Sequence, residues 1–319
     1  MPAARAQPNP RPARKPSRKE NESLESPTPS LPLIQDQVRK ELSLVRKTIE
    51  KLLVPEILDA ETEEKLLKYA DDDSIRPSVF LLTALASGGI RDADIPIVAG
   101  CEFFHLATWV HDAAIDDLVI DGWPRERMVV DGDHIFSTGL TLLTVGSERA
   151  GEIASGMIAS MALGEIQYVR EGLDSSVEEH LDMLGRKHGS LFGASCELAA
   201  LRSNLDQSHS ENLHEYGLDL GVAHALGNEI LYFPQIVRRR RISLALLCAD
   251  DGKGRKTRMV EERDVDALTQ LCASSGGFET TRKTVDTFAG KAHDALRASG
   301  IESEPLENLC AWVRERTRR

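Results

Sequence analysis

The sequence predicts an all-α fold, a bundle of antiparallel helices, on two observations. Apolar residues recur near a 3.6-residue period almost everywhere after Leu33, and no stretch alternates with period two between turn residues. The first amphipathic segment carries Val38, Leu42, Leu44, Val45, Ile49, Leu52 and Leu53 between lysines and glutamates. Residues 98–118, 134–147, 151–170, 181–201, 213–233, 265–273 and 278–298 read the same way. Clusters that read as turns lie between them: Ser87-Gly88-Gly89, Asp121-Gly122-Trp123-Pro124, Asp131-Gly132-Asp133, Arg202-Ser203-Asn204 and Asp250-Asp251-Gly252. With short connections and no internal repeat or linker, residues 33–319 are expected to form one helical domain.

Residues 1–32 differ. Arg5, Arg11, Arg14, Lys15, Arg18 and Lys19 precede the first acid, Glu20, and alternate with five prolines. Such a segment buries too little apolar surface to fold and reads as a disordered, solvated tail. An Arg-rich targeting segment is the alternative, and the prolines oppose the amphipathic helix it would need. The chain is 41% hydrophobic and 28% charged, as a soluble globular protein is. No apolar run approaches the roughly 18 residues of a membrane span. A net charge of −12 argues against nucleic acid as a partner, and any anionic ligand then needs local cations or a metal ion. The five scattered cysteines show no metal-ligand spacing and indicate a reducing, cytoplasmic compartment.

The segment from Cys101 to Asp117 carries chemistry. Asp112 and Asp116 are four residues apart, so a helix places both carboxylates on one face, about 6 Å apart along the axis. Like charges at that spacing repel, and a purely structural helix avoids them. On spacing alone two readings stand: two solvated acids near a helix end, or a pair that holds Mg²⁺. Asp117 lies about 140° further round and is expected to face away.

With Glu102, His105 and His111 before it, this segment resembles the trans-isoprenyl diphosphate synthases, whose helix reads E-x-x-H, five residues, then H-D-D-x-x-D. Here Ala113 stands at the middle aspartate. The resemblance continues in order. Leu118 to Pro124 keeps Gly122 and Pro124 of the next motif, but Ile120 and Asp121 stand at its two arginines. Gly132 to Phe136 looks like G-D-x-L-F. Gly164-Glu165 with Gln167 looks like G-E-x-x-Q. Lys187 falls in a K-T-x-x-L-F motif, with His188 for threonine. Gly276–Arg282 and Pro305–Leu309 fall where the last helices begin. The matches run from Ser74 to Arg316 and imply a helical bundle around a central cavity and pairing as a homodimer or heterodimer.

What the resemblance implies for the site is uneven. In the motif that grips isopentenyl diphosphate, Arg76 survives while Asp73 replaces a lysine. His105 matches a histidine of that site, its alternative being a satisfied core residue. The second aspartate motif falls at residues 225–232 and leaves Asn228 and Glu229 as its oxygen ligands. On that helix Gly217, Gly221 and Ala225, spaced by fours, form a close-packing stripe. The loop after it is shortened, and Arg238 to Arg241 follow, either a phosphate site or a solvated face. The implied assignments are Asp112, Asp116 and Lys187 as catalytic; Arg76, His105, Gln167 and Lys187 on diphosphate; and Asp112, Asp116, Asn228 and Glu229 on Mg²⁺. Phe104 and Trp109, before the first aspartates, are the candidates for setting product length, or are core aromatics. Three functions are consistent with this pattern. The chain is an isoprenoid enzyme that ionises an allylic prenyl diphosphate and transfers the prenyl group, with isopentenyl diphosphate as an acceptor. Alternatively it is a terpene cyclase of the same fold, or a non-catalytic partner subunit of a prenyl diphosphate synthase.

Overall fold

Amphipathic stripes separated by short turns fold this chain into helices; among the described residues no strand forms beyond one isolated bridge between Ile120 and Trp123. The computed structural model describes residues 28–53, 60–70, 74–116, 118, 120, 122–144, 147–201, 205–250 and 254–318. Asp73, Asp117, Asp121 and the expected tail as far as residue 27 lie outside the described residues.

Helix α1 (Leu31–Ile34) and a 3₁₀ turn (Gln35–Val38) lead into α2 (Arg39–Leu52), α3 (Ala60–Ala70) and α4 (Ile75–Ala86). Three long helices follow: α5 (Asp94–Ile115), α6 (Arg125–Thr144) and α7 (Glu148–Arg170). Helix α8 (Val177–Leu184) starts on a capping box between Ser176 and Glu179 and runs through a π-helical turn (Gly185–Gly189) into α9 (Ser190–Leu201). After α10 (Gln207–Leu231) come α11 (Phe233–Arg238), α12 (Leu244–Cys248), α13 (Lys256–Glu262), α14 (Val265–Ser274), α15 (Gly277–Ala298) and α16 (Glu304–Glu315). None of the described helices is long and apolar enough to cross a membrane.

Helices α4, α5, α9 and α10 are apolar on more than one face and form the centre of the bundle, with Phe80, Phe103, Leu106, Cys196 and Leu220 buried. α5 packs chiefly on α6, and α10 lies between α9 and α15. The small-residue stripe of α10 permits this. A Cβ on Gly221 would stand 2.9 Å from the Cα of Gly189, and one on Gly217 would strike the Phe192 carbonyl.

One boundary differs from the sequence reading. Asp131-Gly132-Asp133 is not a turn; it lies inside α6, which begins at Arg125, directly after Pro124. The buried Asp131 accepts a hydrogen bond from the Trp123 indole at 2.8 Å and an ion pair from Arg127 at 3.1 Å, while the missing side chain of Gly132 leaves room for the His111 ring. Tertiary packing therefore overrides the turn preference of an Asp-Gly-Asp run.

Candidate functional site

Asp112 emerges from α5 and faces the π-helical turn. Both of its oxygens accept from the Lys187 Nζ at 2.9 Å, and the same ammonium donates to Glu165 of α7 at 2.8 Å. The Lys187 side chain is only 2% exposed, so its charge needs these partners. Gly164 brings α7 within reach, since a Cβ there would lie 2.5 Å from the Lys187 backbone nitrogen. Burial and the Asp112 charge push the Glu165 carboxyl up to about 7, against the pull of Lys187.

Asp116 caps the C-terminus of α5 with its carboxylate wholly buried. Arg241 Nε donates to it at 2.7 Å, a second guanidinium nitrogen donates to the same oxygen, and Arg239 lies 3.9 Å from the other oxygen. Burial raises the Asp116 carboxyl, opposed by Arg241. Tyr168 joins the two ion pairs: the Lys187 Nζ lies 3.6 Å from its ring centroid and the Arg241 guanidinium 4.4 Å. The arginine run thus divides, with Arg239 and Arg241 entering the cluster while Arg238 and Arg240 stay exposed.

Two cavities adjoin this cluster. A mostly apolar one of about 630 Å³ lies between α5, α6 and α7, walled by Phe104, Phe136, Ile158, Met161, Ala162 and Glu165. A polar recess of about 90 Å³ is lined by Arg76, His105, Lys187, His188, His224 and Asn228. Thr108 and Met161 line both. In the recess Arg76 pairs with the buried Glu102 at 3.2 Å, and burial, with Lys187 adjacent, holds His188 neutral, pushed down to about 3. His224 stacks between Phe192 and Trp312.

Of the residues expected from the sequence, Asp112, Asp116 and Lys187 meet around Tyr168, and Arg76, His105 and Asn228 share the recess with Lys187. Gln167 gives its amide to Asp182 at 2.7 Å. Glu229 is buried elsewhere: one oxygen accepts from His180 at 2.8 Å, the other from the backbone N–H of Leu244 at 2.8 Å. Phe104 lines the apolar cavity, edge-on to Phe136 at 4.9 Å, whereas Trp109 packs against Trp123. Tyr168, Glu165, Arg239 and Arg241 were not assigned to the site from sequence. Glu165 stood within a quoted motif, and Tyr168, three residues on, shares its helix face.

A resident divalent ion needs carboxylate oxygens free of other cations. Asp112 is taken up by Lys187, Asp116 by Arg241 and Arg239, and Glu229 by His180 and Leu244. Among the four expected ligands only Asn228 offers an oxygen that is buried with neither a donor nor a cation against it. Among the described residues no group of three His, Cys, Asp or Glu side chains is placed to hold a metal ion. As the side chains stand, the donor set does not fit the ion.

A family model described as polyprenyl synthetase matches residues 64–231. A prenyl transferase of Cyanophora paradoxa is 30% identical over 319 residues, covering 88% of this chain and 96% of that one. Component 2 of the heptaprenyl diphosphate synthase of Bacillus subtilis (strain 168) is 28% identical over 182 residues, 52% of this chain and 51% of that protein, so the chain spans about half the length of that relative. Among solved structures, a polyprenyl synthase from Caulobacter crescentus CB15, complexed with calcium and isoprenyl diphosphate, superposes with a TM-score of 0.78 at 24% identity, covering 90% of this chain and 98% of that one.

Proposed function

This chain belongs to the polyprenyl synthetase family, and on that premise we propose that it binds an allylic prenyl diphosphate, ionises it and transfers the prenyl group. One observation carries the reading: an apolar cavity of about 630 Å³ has Glu165 in its wall, and Glu165 accepts from Lys187 in the cluster of cations held by the paired aspartates of α5. A prenyl chain fits the cavity by its apolar walls, and its diphosphate head meets Lys187 and the arginines.

In this arrangement the mostly apolar walls of the cavity offer water few partners beside the reacting carbon, as the lifetime of an allylic cation demands. When the C1–O bond breaks, the electron pair leaves with the diphosphate, and fixed cations stabilise that developing charge. Asp112 and Glu165 orient the ammonium of Lys187, and Asp116 orients Arg241. The family uses a divalent metal, whose charge when bound also stabilises a leaving diphosphate. No residue here is assigned to it, because Asp112, Asp116 and Glu229 are already engaged. Isopentenyl diphosphate as acceptor, with Arg76 and His105 at the recess, and pairing of the chain as a homodimer or heterodimer are part of the proposal. The pairing is checked by sedimentation equilibrium, where a strict monomer counts against it.

The same engaged aspartates favour a second reading, a non-catalytic subunit whose partner does the chemistry. Incubation of the purified chain with geranyl, farnesyl and geranylgeranyl diphosphates, with and without isopentenyl diphosphate and Mg²⁺, separates the two. Lengthened diphosphates support the proposal, volatile hydrocarbons replace it with cyclisation, and products only after a second prenyl synthase chain is added select the subunit reading.

A further inference from the structure

Both aspartates that the sequence marks as metal ligands carry a protein cation instead. Lys187 covers both oxygens of Asp112, and the fork of Arg241 closes on the buried carboxylate of Asp116. Tyr168 holds these two cations 3.6 and 4.4 Å from its ring centre, which fixes the spacing between them. Arg239 adds a third cation, 3.9 Å from Asp116 and 34% exposed. A divalent ion entering at Asp116 would have to expel Arg241 from a buried carboxylate and then sit beside two guanidinium groups, which repel it. A diphosphate can meet Arg239 without displacing Arg241 from Asp116. Guanidinium forks match its oxygens two at a time, Lys187 lines the polar recess, and Glu165, to which it donates, lines the apolar cavity.

We propose that Arg239 and Arg241, with Lys187, occupy the position of the metal ions, so that this chain grips a prenyl diphosphate directly and without a divalent cation. The inference rests on the diphosphate reading of the site given above and adds how that head group is held. The carboxylates of α5 then serve as anchors: Asp116 sets the direction of the Arg241 fork and Asp112 that of the Lys187 ammonium. Half-buried Arg239, which lies farther from Asp116 than Arg241 does, is the member placed to turn onto the ligand.

The test is calorimetric titration of the full chain with farnesyl thiodiphosphate, a slowly ionising analogue, once in excess EDTA and once in Mg²⁺. Wild type is expected to bind under both conditions with affinities within about threefold. Arg239→Gln, which leaves Asp116 paired with Arg241, should weaken binding in EDTA by about tenfold, as the loss of a charge-assisted fork predicts. Arg241→Lys keeps a positive charge beside the buried Asp116, so the fold is retained, and should weaken binding comparably because the fork is lost. Wild-type binding that needs Mg²⁺ overturns the inference and leaves the proposed function standing. Binding in EDTA that neither variant weakens overturns the role of the arginines. Absence of binding both in EDTA and in Mg²⁺ overturns the inference and the diphosphate reading beneath it.

Discussion

Glu165 is the residue on which the charge balance of the cluster turns. Burial and Asp112 push its carboxyl up to about 7. A raised carboxyl binds its proton more tightly folded than unfolded, so the native state loses stability as pH rises from the ordinary carboxylate range through about 7. Glu165→Gln should therefore match wild type near pH 4 and exceed it by about 3 kcal/mol near pH 8. Urea denaturation at the two pH values checks this, and a difference independent of pH would show that Glu165 ionises normally. The comparison must be made between variants, because His180 also contributes. Burial pulls that imidazole down, but Glu229 and Glu171 raise it to about 10, so its stabilisation, complete below about 6.5, also fades as pH rises. The pairing of Asp116 with Arg241 was beyond sequence reasoning. The two are 125 residues apart, and a run of four arginines gives no sign of which two turn inward.

At the scale of helices, the approach of α7 to the π-helical turn determines whether Lys187 reaches Glu165. Gly164→Ala should place a methyl 2.5 Å from the Lys187 backbone nitrogen and cost about 2–4 kcal/mol, because backbone cannot yield as a flexible side chain does. Gly156→Ala, on the same helix with open space around it, should instead gain about 0.5–1 kcal/mol from helix propensity. Chemical denaturation of both measures the contrast, and equal effects would mean that α7 does not press on the turn. Glu229 belongs to this scale too. It joins α10 to α8 through His180 and to the start of α12 through the Leu244 N–H. Glu229→Gln should then lower stability by about 2 kcal/mol, by leaving a buried His180 with one carboxylate fewer, and should leave farnesyl thiodiphosphate affinity nearly unchanged. A large loss of affinity with intact stability would return Glu229 to the ligand site. The sequence showed the close contacts of α10, since glycines four apart have few other uses on a helix. It hid the start of α6, because Asp and Gly are turn formers whenever no buried indole or neighbouring imidazole claims them. The deviation to a π-helix at Gly185–Gly189 also had no local signature, and it is this turn that aims Lys187.

The whole molecule builds what no single helix has, a mostly apolar cavity lined by α5, α6 and α7, with Glu165 of the charged cluster in its wall. Its bundle class was legible from periodicity alone, whereas its volume depends on how side chains from three helices meet. Phe104 and Phe136 meet edge to face across α5 and α6 and form one wall. Phe104 is 2% exposed, so its replacement by alanine would cost about 3–5 kcal/mol and confuse binding with folding. Phe136 is only partly buried, and Phe136→Ala enlarges the cavity at smaller cost to the fold. If the prenyl tail lies in this cavity, the added room favours a longer chain, each further buried methylene contributing up to about 0.8 kcal/mol. The affinity ratio of geranylgeranyl to farnesyl thiodiphosphate should then rise by about tenfold or more in Phe136→Ala, with the diphosphate contacts and the EDTA dependence unaltered. Because both ligands share the head group, the ratio cancels any change at Lys187 or the arginines and reports the tail alone. An unchanged ratio would place the tail outside the space between α5, α6 and α7, and the cavity would then have no part in selecting the chain.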